Sequence, residues 1–163
     1  MTYTIKHNRH RAWPRKLGIW YGKKVLAYDV RFDQSCAYNI EGVDMLDTNK
    51  LFGVGYFPNH HKHSARFGWR YVTETNRIML SAYCYVNGER SIKDIVDVKL
   101  NEWVVCRLRI EYGKYLFDVI TTNRDYAYTR YVEHGHDKKL SYPLGVYFGG
   151  NNPAPKTMTI ELK

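Results

Sequence analysis

Two neighbouring segments hold the residue types best suited to gripping a ligand. In 65–72 (ARFGWRYV), Ala65, Phe67, Trp69 and Tyr71 alternate with Arg66, Gly68 and Arg70. In 78–86 (IMLSAYCYV), Ile78, Leu80, Ala82, Cys84 and Val86 alternate with Met79, Ser81, Tyr83 and Tyr85. A period of two identifies strands, because successive side chains in a strand point to opposite faces. With the apolar halves turned inward, Arg66 and Arg70 share an open face with Tyr83 and Tyr85. Guanidinium forks pair bidentately with carboxylate, phosphate or sulfate. Phenol rings stack on flat partners and keep a hydroxyl for hydrogen bonding. Tyr147, in the run LGVYF, adds a third ring, and Asn151 and Asn152 just after it could bond to hydroxyls.

The other chemical groupings are weaker. His60, His61 and His63 lie in one loop, and imidazole is a common metal ligand. On an extended chain His60 and His61 point apart, so only His61 and His63 share a face and form a weak metal candidate. A solvated polar loop is the favoured reading there. His134 and His136 form a second small group. Asp44, Asp47 and Asn49 have oxygens suited to calcium, but a polar surface loop is the favoured reading. The carboxylates are scattered, with no pair spaced for glycoside hydrolysis. Arg66, Arg70, Tyr83, Tyr85 and the histidines are also the residue types of a polysaccharide lyase, in which Tyr or His abstracts a proton beside a cation. No zinc-protease helix, nucleophile elbow or phosphate-cradling glycine loop is present, and no cofactor is implied.

The elements that must position these groups are strands. Apolar alternation predicts them over 3–7, 24–32, 51–57, 65–72, 78–86, 91–98, 103–112, 115–121, 126–132, 144–148 and 157–162. Asn87-Gly88 is a two-residue hairpin signal, because a type I′ turn needs positive φ at both central positions. Tyr112-Gly113-Lys114 and Asn123-Arg124-Asp125 are weaker turn signals. No window has apolar residues at helical spacing. The expectation is one all-β domain over 1–163, a two-sheet antiparallel β-sandwich of jelly-roll type, with the first and last strands paired. Its core is expected from Leu26, Tyr28, Val30, Phe67, Trp69, Leu80, Cys84, Leu108, Ile110, Phe117, Val119, Val146, Phe148, Met158 and Ile160.

Twenty-five Lys and Arg against 16 Asp and Glu leave a formal charge of +9, which favours anionic partners. The stretch 6–16 (KHNRHRAWPRK) is basic throughout and is expected to be a solvated loop crossing one end of the sandwich. The three cysteines form no C-x-x-C pair, so they read as reduced core residues. The N-terminus shows no secretory signal, and no stretch approaches a membrane span, so the expectation is a cytoplasmic protein without a membrane partner.

The stretches LGVYFGGNNPAPKTMTIEL and NKLFGVGYFPNHHKHSARFGWRY resemble the concanavalin A-like (laminin-G-like) jelly rolls. They are most similar to small uncharacterised proteins of Bacteroidota and their phages. The resemblance implies a sandwich whose concave face is the usual ligand site, in a superfamily rich in lectins, carbohydrate-binding modules, glycoside hydrolases and polysaccharide lyases. The leading expectation is a lectin-like, non-catalytic binder of an acidic glycan through Arg66, Arg70, Tyr83, Tyr85, Tyr147, Asn151 and Asn152. The alternatives are a phage or bacterial protein that binds anionic nucleotides or nucleic acid, and a polysaccharide lyase or hydrolase.

Overall fold

The computed structural model describes residues 1–121 and 126–163. The described residues form thirteen strands: β1 Thr2–Ile5, β2 Ala12–Trp13, β3 Trp20–Tyr21, β4 Val25–Phe32, β5 Asn49–Tyr56, β6 Ser64–Val72, β7 Arg77–Val86, β8 Glu89–Lys99, β9 Trp103–Glu111, β10 Lys114–Thr121, β11 Ala127–Glu133, β12 Leu140–Leu144 and β13 Met158–Leu162. Two single-turn 3-10 helices, Gln34–Cys36 and Gly42–Leu46, are the only helical elements among the described residues. The strands pack as two antiparallel sheets. One has seven strands in the order β11-β10-β9-β4-β13-β1-β2, and the other six in the order β3-β12-β5-β6-β7-β8. This is the expected jelly-roll sandwich. The first and last strands pair as expected, with Tyr3 opposite Ile160.

Alternation dictates the layers. Phe67 and Trp69 from β6, Leu80 and Cys84 from β7, and Leu108 and Phe117 from the other sheet are all fully buried. Trp69 meets Phe32 at 5.3 Å between ring centroids, and Phe67 meets Phe117 at 5.1 Å, so the two inner faces interlock through aromatic edges. Each such side chain contributes about 1.5–3 kcal/mol of hydrophobic stabilisation. Of the expected core, Tyr28 and Ile110 are half-buried and the rest are buried. All three cysteines are buried and free.

The Asn87-Gly88 turn has φ of 52° and 87°, the positive pair that a type I′ hairpin demands. Tyr112-Gly113 repeats the geometry with 52° and 70°. The turn expected at Asn123-Arg124-Asp125 lies outside the described residues.

Two expectations need correction. The strand expected over 144–148 lies at Leu140–Leu144, and Tyr147 instead makes isolated bridges to Arg11 and Lys50. The two-residue strands β2 and β3 lie in the N-terminal stretch and were not legible as alternation. β2 pairs with the neighbouring β1 and β3 with the distant β12, and a run of two residues is too short to announce either pairing.

β5 and β6 pair around a register shift between Lys50 and Gly53. A Cβ built on Gly53 would sit 2.1 Å from the Ala65 carbonyl and 2.6 Å from the Arg66 Cα. Gly53→Ala is therefore expected to cost about 1–3 kcal/mol, as overpacking does. Gly145→Ala, where a Cβ meets nothing within 4 Å, should change stability by less than about 0.5 kcal/mol. Urea denaturation of the two variants measures the contrast.

Candidate functional site: a basic cleft without carboxylates

The register of the hairpin decides the site. Arg66 on β6 lies directly opposite Tyr83 on β7, and Tyr83 faces Ile92 on β8. Ser64 pairs with Tyr85, which pairs with Arg90. These outward side chains form one wall of a cleft of about 670 Å³. Lys50 on β5 and Tyr147 lie in it. Pro143, Leu144 and Gly145 form another wall, and Arg11, Pro14, Arg15 and Lys16 from the N-terminal stretch form its edge. His60 and His61 line it from the β5–β6 loop.

Tyr147 is placed by backbone bonds on both sides. Its N–H donates to the Lys50 carbonyl at 2.9 Å, and the Lys50 N–H donates to the Tyr147 carbonyl at 2.8 Å. On the other side, the Ala12 N–H donates to the Val146 carbonyl and the Phe148 N–H to the His10 carbonyl. Val146 and Phe148 are buried in the core, so alternation turns Tyr147 outward. The His10 ring stacks on Tyr147 at 5.3 Å between centroids.

Among the described residues six Arg and Lys side chains line the cleft, and no Asp or Glu does. Arg66 is the extreme case. It is 8% exposed, its Nη2 donates to the Gly145 carbonyl at 2.7 Å, and its Nε is buried without a partner among the described residues. Burial lowers its pKa to about 10, against the opposing influence of Tyr83, Tyr147 and Tyr142. Taking a guanidinium out of water without a carboxylate is costly, and proteins seldom retain one in that state without a counter-ion. Lys50 donates to the Gly149 carbonyl at 2.8 Å, and burial, with Arg66 nearby, lowers its pKa to about 8. Burial also lowers His60 to about 4, so it stands neutral at physiological pH. Tyr83 and Tyr85 meet edge to face at 5.9 Å, and burial raises the Tyr83 hydroxyl.

Of the residues singled out in the sequence, Arg66, Tyr83, Tyr85, Tyr147, Asn151 and His61 line this cleft. Arg70 and Asn152 do not. Arg70 donates two hydrogen bonds to Asp94, at 2.8 and 2.7 Å, across the β8 side of the sheet. Such a surface pair contributes about 0–1 kcal/mol. Asn152 donates to Asp44 at 2.7 Å. Arg107 and Arg109 belong to β9 of the other sheet, where both bind Asp118.

The metal candidates part company. His61 faces Tyr85 in the cleft, whereas His63 is buried with its ring 4.8 Å from that of His136. His60 and His61, expected to point apart, lie 4.3 Å apart because their loop turns there. Among the described residues no group of three His, Cys, Asp or Glu is arranged to hold a metal ion. Asn49 is buried instead of solvated, donating to the Tyr38 hydroxyl and accepting from the Gly149 N–H. Lys50, Arg90 and the edge of Arg11, Arg15 and Lys16 were not picked out as site residues. Arg90 could have been found by counting across the Asn87-Gly88 hairpin from Tyr85. Nothing in sequence places the N-terminal stretch beside Tyr147.

No family model matches the chain, and no curated protein matches it in sequence. The likeness lies in structure. The fold is shared with alginate lyases. The alginate lyase from Klebsiella pneumoniae superposes with a TM-score of 0.64 at 10% identity, over 85% of this chain and 58% of that one. The chain therefore spans less than two thirds of that enzyme. The alginate lyase from Alteromonas sp. 272 gives 0.58 at 9% identity, over 100% and 85% of the two chains. A functionally unknown protein from Saccharomyces cerevisiae gives 0.59 at 13% identity, over 99% and 86%. At these identities the likeness establishes the sandwich fold alone.

Behind the cleft, His63, His134 and His136 pack with Tyr56 and Tyr115 between the sheets. The Lys138 N–H donates to His136 Nδ1, so His136 Nε2 carries the proton and donates to the Tyr115 hydroxyl at 2.6 Å. His63 Nδ1 and His134 Nε2 are buried without partners. Burial lowers all three imidazoles, His136 to about 4. Their folded pKa values lie below the unfolded one, so the unfolded chain takes up protons more readily. The stability they contribute is present above about pH 6.5 and is lost as pH falls toward 4. The urea midpoint is expected to fall between pH 7 and about 4.5, and His136→Gln to flatten that slope.

Proposed function

We propose that this protein binds an acidic polysaccharide in the cleft. The carrying observation is Arg66, a buried guanidinium whose Nε has no partner among the described residues, in a cleft that these residues line with six cations and no carboxylate. A ligand carboxylate or sulfate would supply the missing counter-charge through a charge-assisted hydrogen bond. Tyr83, Tyr85 and Tyr147 offer stacking surfaces for sugar rings, and Asn151 offers an amide for a hydroxyl. The shared fold with alginate lyases supports a sugar polymer as the ligand.

One measurement separates this reading from its rivals. Calorimetry against alginate, pectate, heparin, neutral dextran and oligo(dT) across a salt series is expected to give binding for an acidic glycan and none for dextran. Tighter binding of oligo(dT), with the steep salt slope of phosphate contacts, would sink the glycan reading in favour of a nucleic-acid one. Arg66→Met is expected to retain or raise Tm, because an apolar isostere relieves a buried charge. The same change should lower affinity about 30-fold or more, a loss of about 2 kcal/mol. A variant that keeps its affinity removes Arg66 from the site.

A second reading, β-elimination, is favoured by Tyr147 and the neutral His60 lying in the same cleft as Arg66. In that reaction a cation neutralises a uronate carboxylate and a base removes the adjacent C–H proton. The C–H electron pair becomes a carbon–carbon double bond as the glycosidic C–O bond breaks, and the leaving oxygen takes a proton. Turnover would appear as ultraviolet absorbance of the unsaturated product. Tyr147→Phe is expected to abolish it while leaving affinity within a few-fold. Absence of absorbance with every uronate polymer that binds would leave the protein a binder.

A further inference from the structure

Lys50 is one of the cleft cations that sequence reasoning missed. Its backbone is doubly bonded to Tyr147, and its ammonium rests on the Gly149 carbonyl at 2.8 Å. The nitrogen lies 5.1 Å from the Tyr83 ring centroid and 5.7 Å from that of Tyr147, between the two stacking surfaces. An ammonium has three N–H donors, and the Gly149 carbonyl is the one acceptor it meets among the described residues. No carboxylate forms an ion pair with it there.

We propose that Lys50 is a charge-reading residue of the cleft: its ammonium, seated on Gly149 between Tyr83 and Tyr147, donates to an anionic group of the ligand, so full affinity requires a proton on Lys50. The inference rests on the acidic-glycan reading and adds to it a pH dependence near pH 8 that Arg66 cannot supply, because the Arg66 guanidinium, at about 10, is still protonated there.

The charged and titratable groups around Lys50 set the sign. Arg66 on β6 and Arg90 on β8 oppose its charge, and Asp47 just before β5 favours it. The Tyr83 ring on β7 and the Tyr147 ring complete the surroundings, and burial raises Tyr83 above the ordinary phenol range. Burial, the larger influence, lowers Lys50 itself to about 8. A bound anion favours the ammonium and draws a proton onto it. Affinity should therefore be level below about pH 7.5 and fall up to about tenfold per pH unit above 8. His60, at about 4, stays neutral throughout this window.

The test uses the full chain and alginate oligomers, with calorimetry at half-unit steps from pH 7 to 9.5 in two buffers of different ionisation enthalpy. The wild type is expected to lose at least tenfold in affinity across this range and to take up a proton on binding near pH 8. Lys50→Arg, which keeps a permanent cation, should retain affinity with a level profile. Lys50→Met should bind weakly at every pH, and circular dichroism establishes that it is folded. A level wild-type profile, or a sloping one in Lys50→Arg, overturns the assignment of Lys50 and leaves the glycan reading standing. Absence of binding at every pH overturns both.

Discussion

Tyr147 is held by the backbone of both sheets at once, and the placement of the cleft depends on that constraint. Lys50 pairs with it from the six-stranded sheet, and Arg11 bridges to it from the N-terminal edge of the seven-stranded one. Val146 and Phe148, on either side, are buried in the core. The segment thus closes one corner of the sandwich and cannot move without unpairing two strands and exposing apolar surface. The groups that shape the cleft are placed from this corner: the Tyr147 ring, the Gly145 carbonyl that receives Arg66 and the Gly149 carbonyl that receives Lys50.

The electrostatics follow from this geometry. Backbone carbonyls, and not carboxylates, hold the two most buried cations, so the positive charge is positioned without being neutralised. A carbonyl dipole orients an Arg or Lys at lower electrostatic gain than a carboxylate would give. The remaining attraction is available to a ligand. Outside the cleft several arginines are paired with carboxylates, as Arg70 is with Asp94 and Arg107 and Arg109 are with Asp118. The contrast between these paired arginines and the cations of the cleft, which meet carbonyls and rings, is what supports reading the cleft as a ligand site.

The histidines show how far loop chemistry escapes one-dimensional reasoning. Extended-chain geometry placed His61 with His63 and turned His60 away. The loop turns back instead, bringing His60 against His61 and sending His63 into the interior beside His136. The deciding contacts come from the loop after β11, more than seventy residues away in sequence, and from Tyr56 and Tyr115 on opposite sheets. A polar cluster buried between sheets has no periodicity of its own and leaves no local signal.

Alternation alone determined the two-sheet sandwich, the inward Phe67, Trp69, Leu80 and Cys84, and the shared outer face of Arg66 and Tyr83. Strand side chains must take turns, and the apolar half must leave water. It also determined the hairpin at Asn87-Gly88, because only certain residues tolerate positive φ. Tertiary structure decided which outward cations matter. Arg66 and Arg70 are equivalent by period, yet one is buried in the cleft beside Gly145 and the other bonds to Asp94. Pairing between distant segments brought Lys50 and the N-terminal stretch to Tyr147, and such pairings are set by the closing of the sandwich, not by the residues' own spacing.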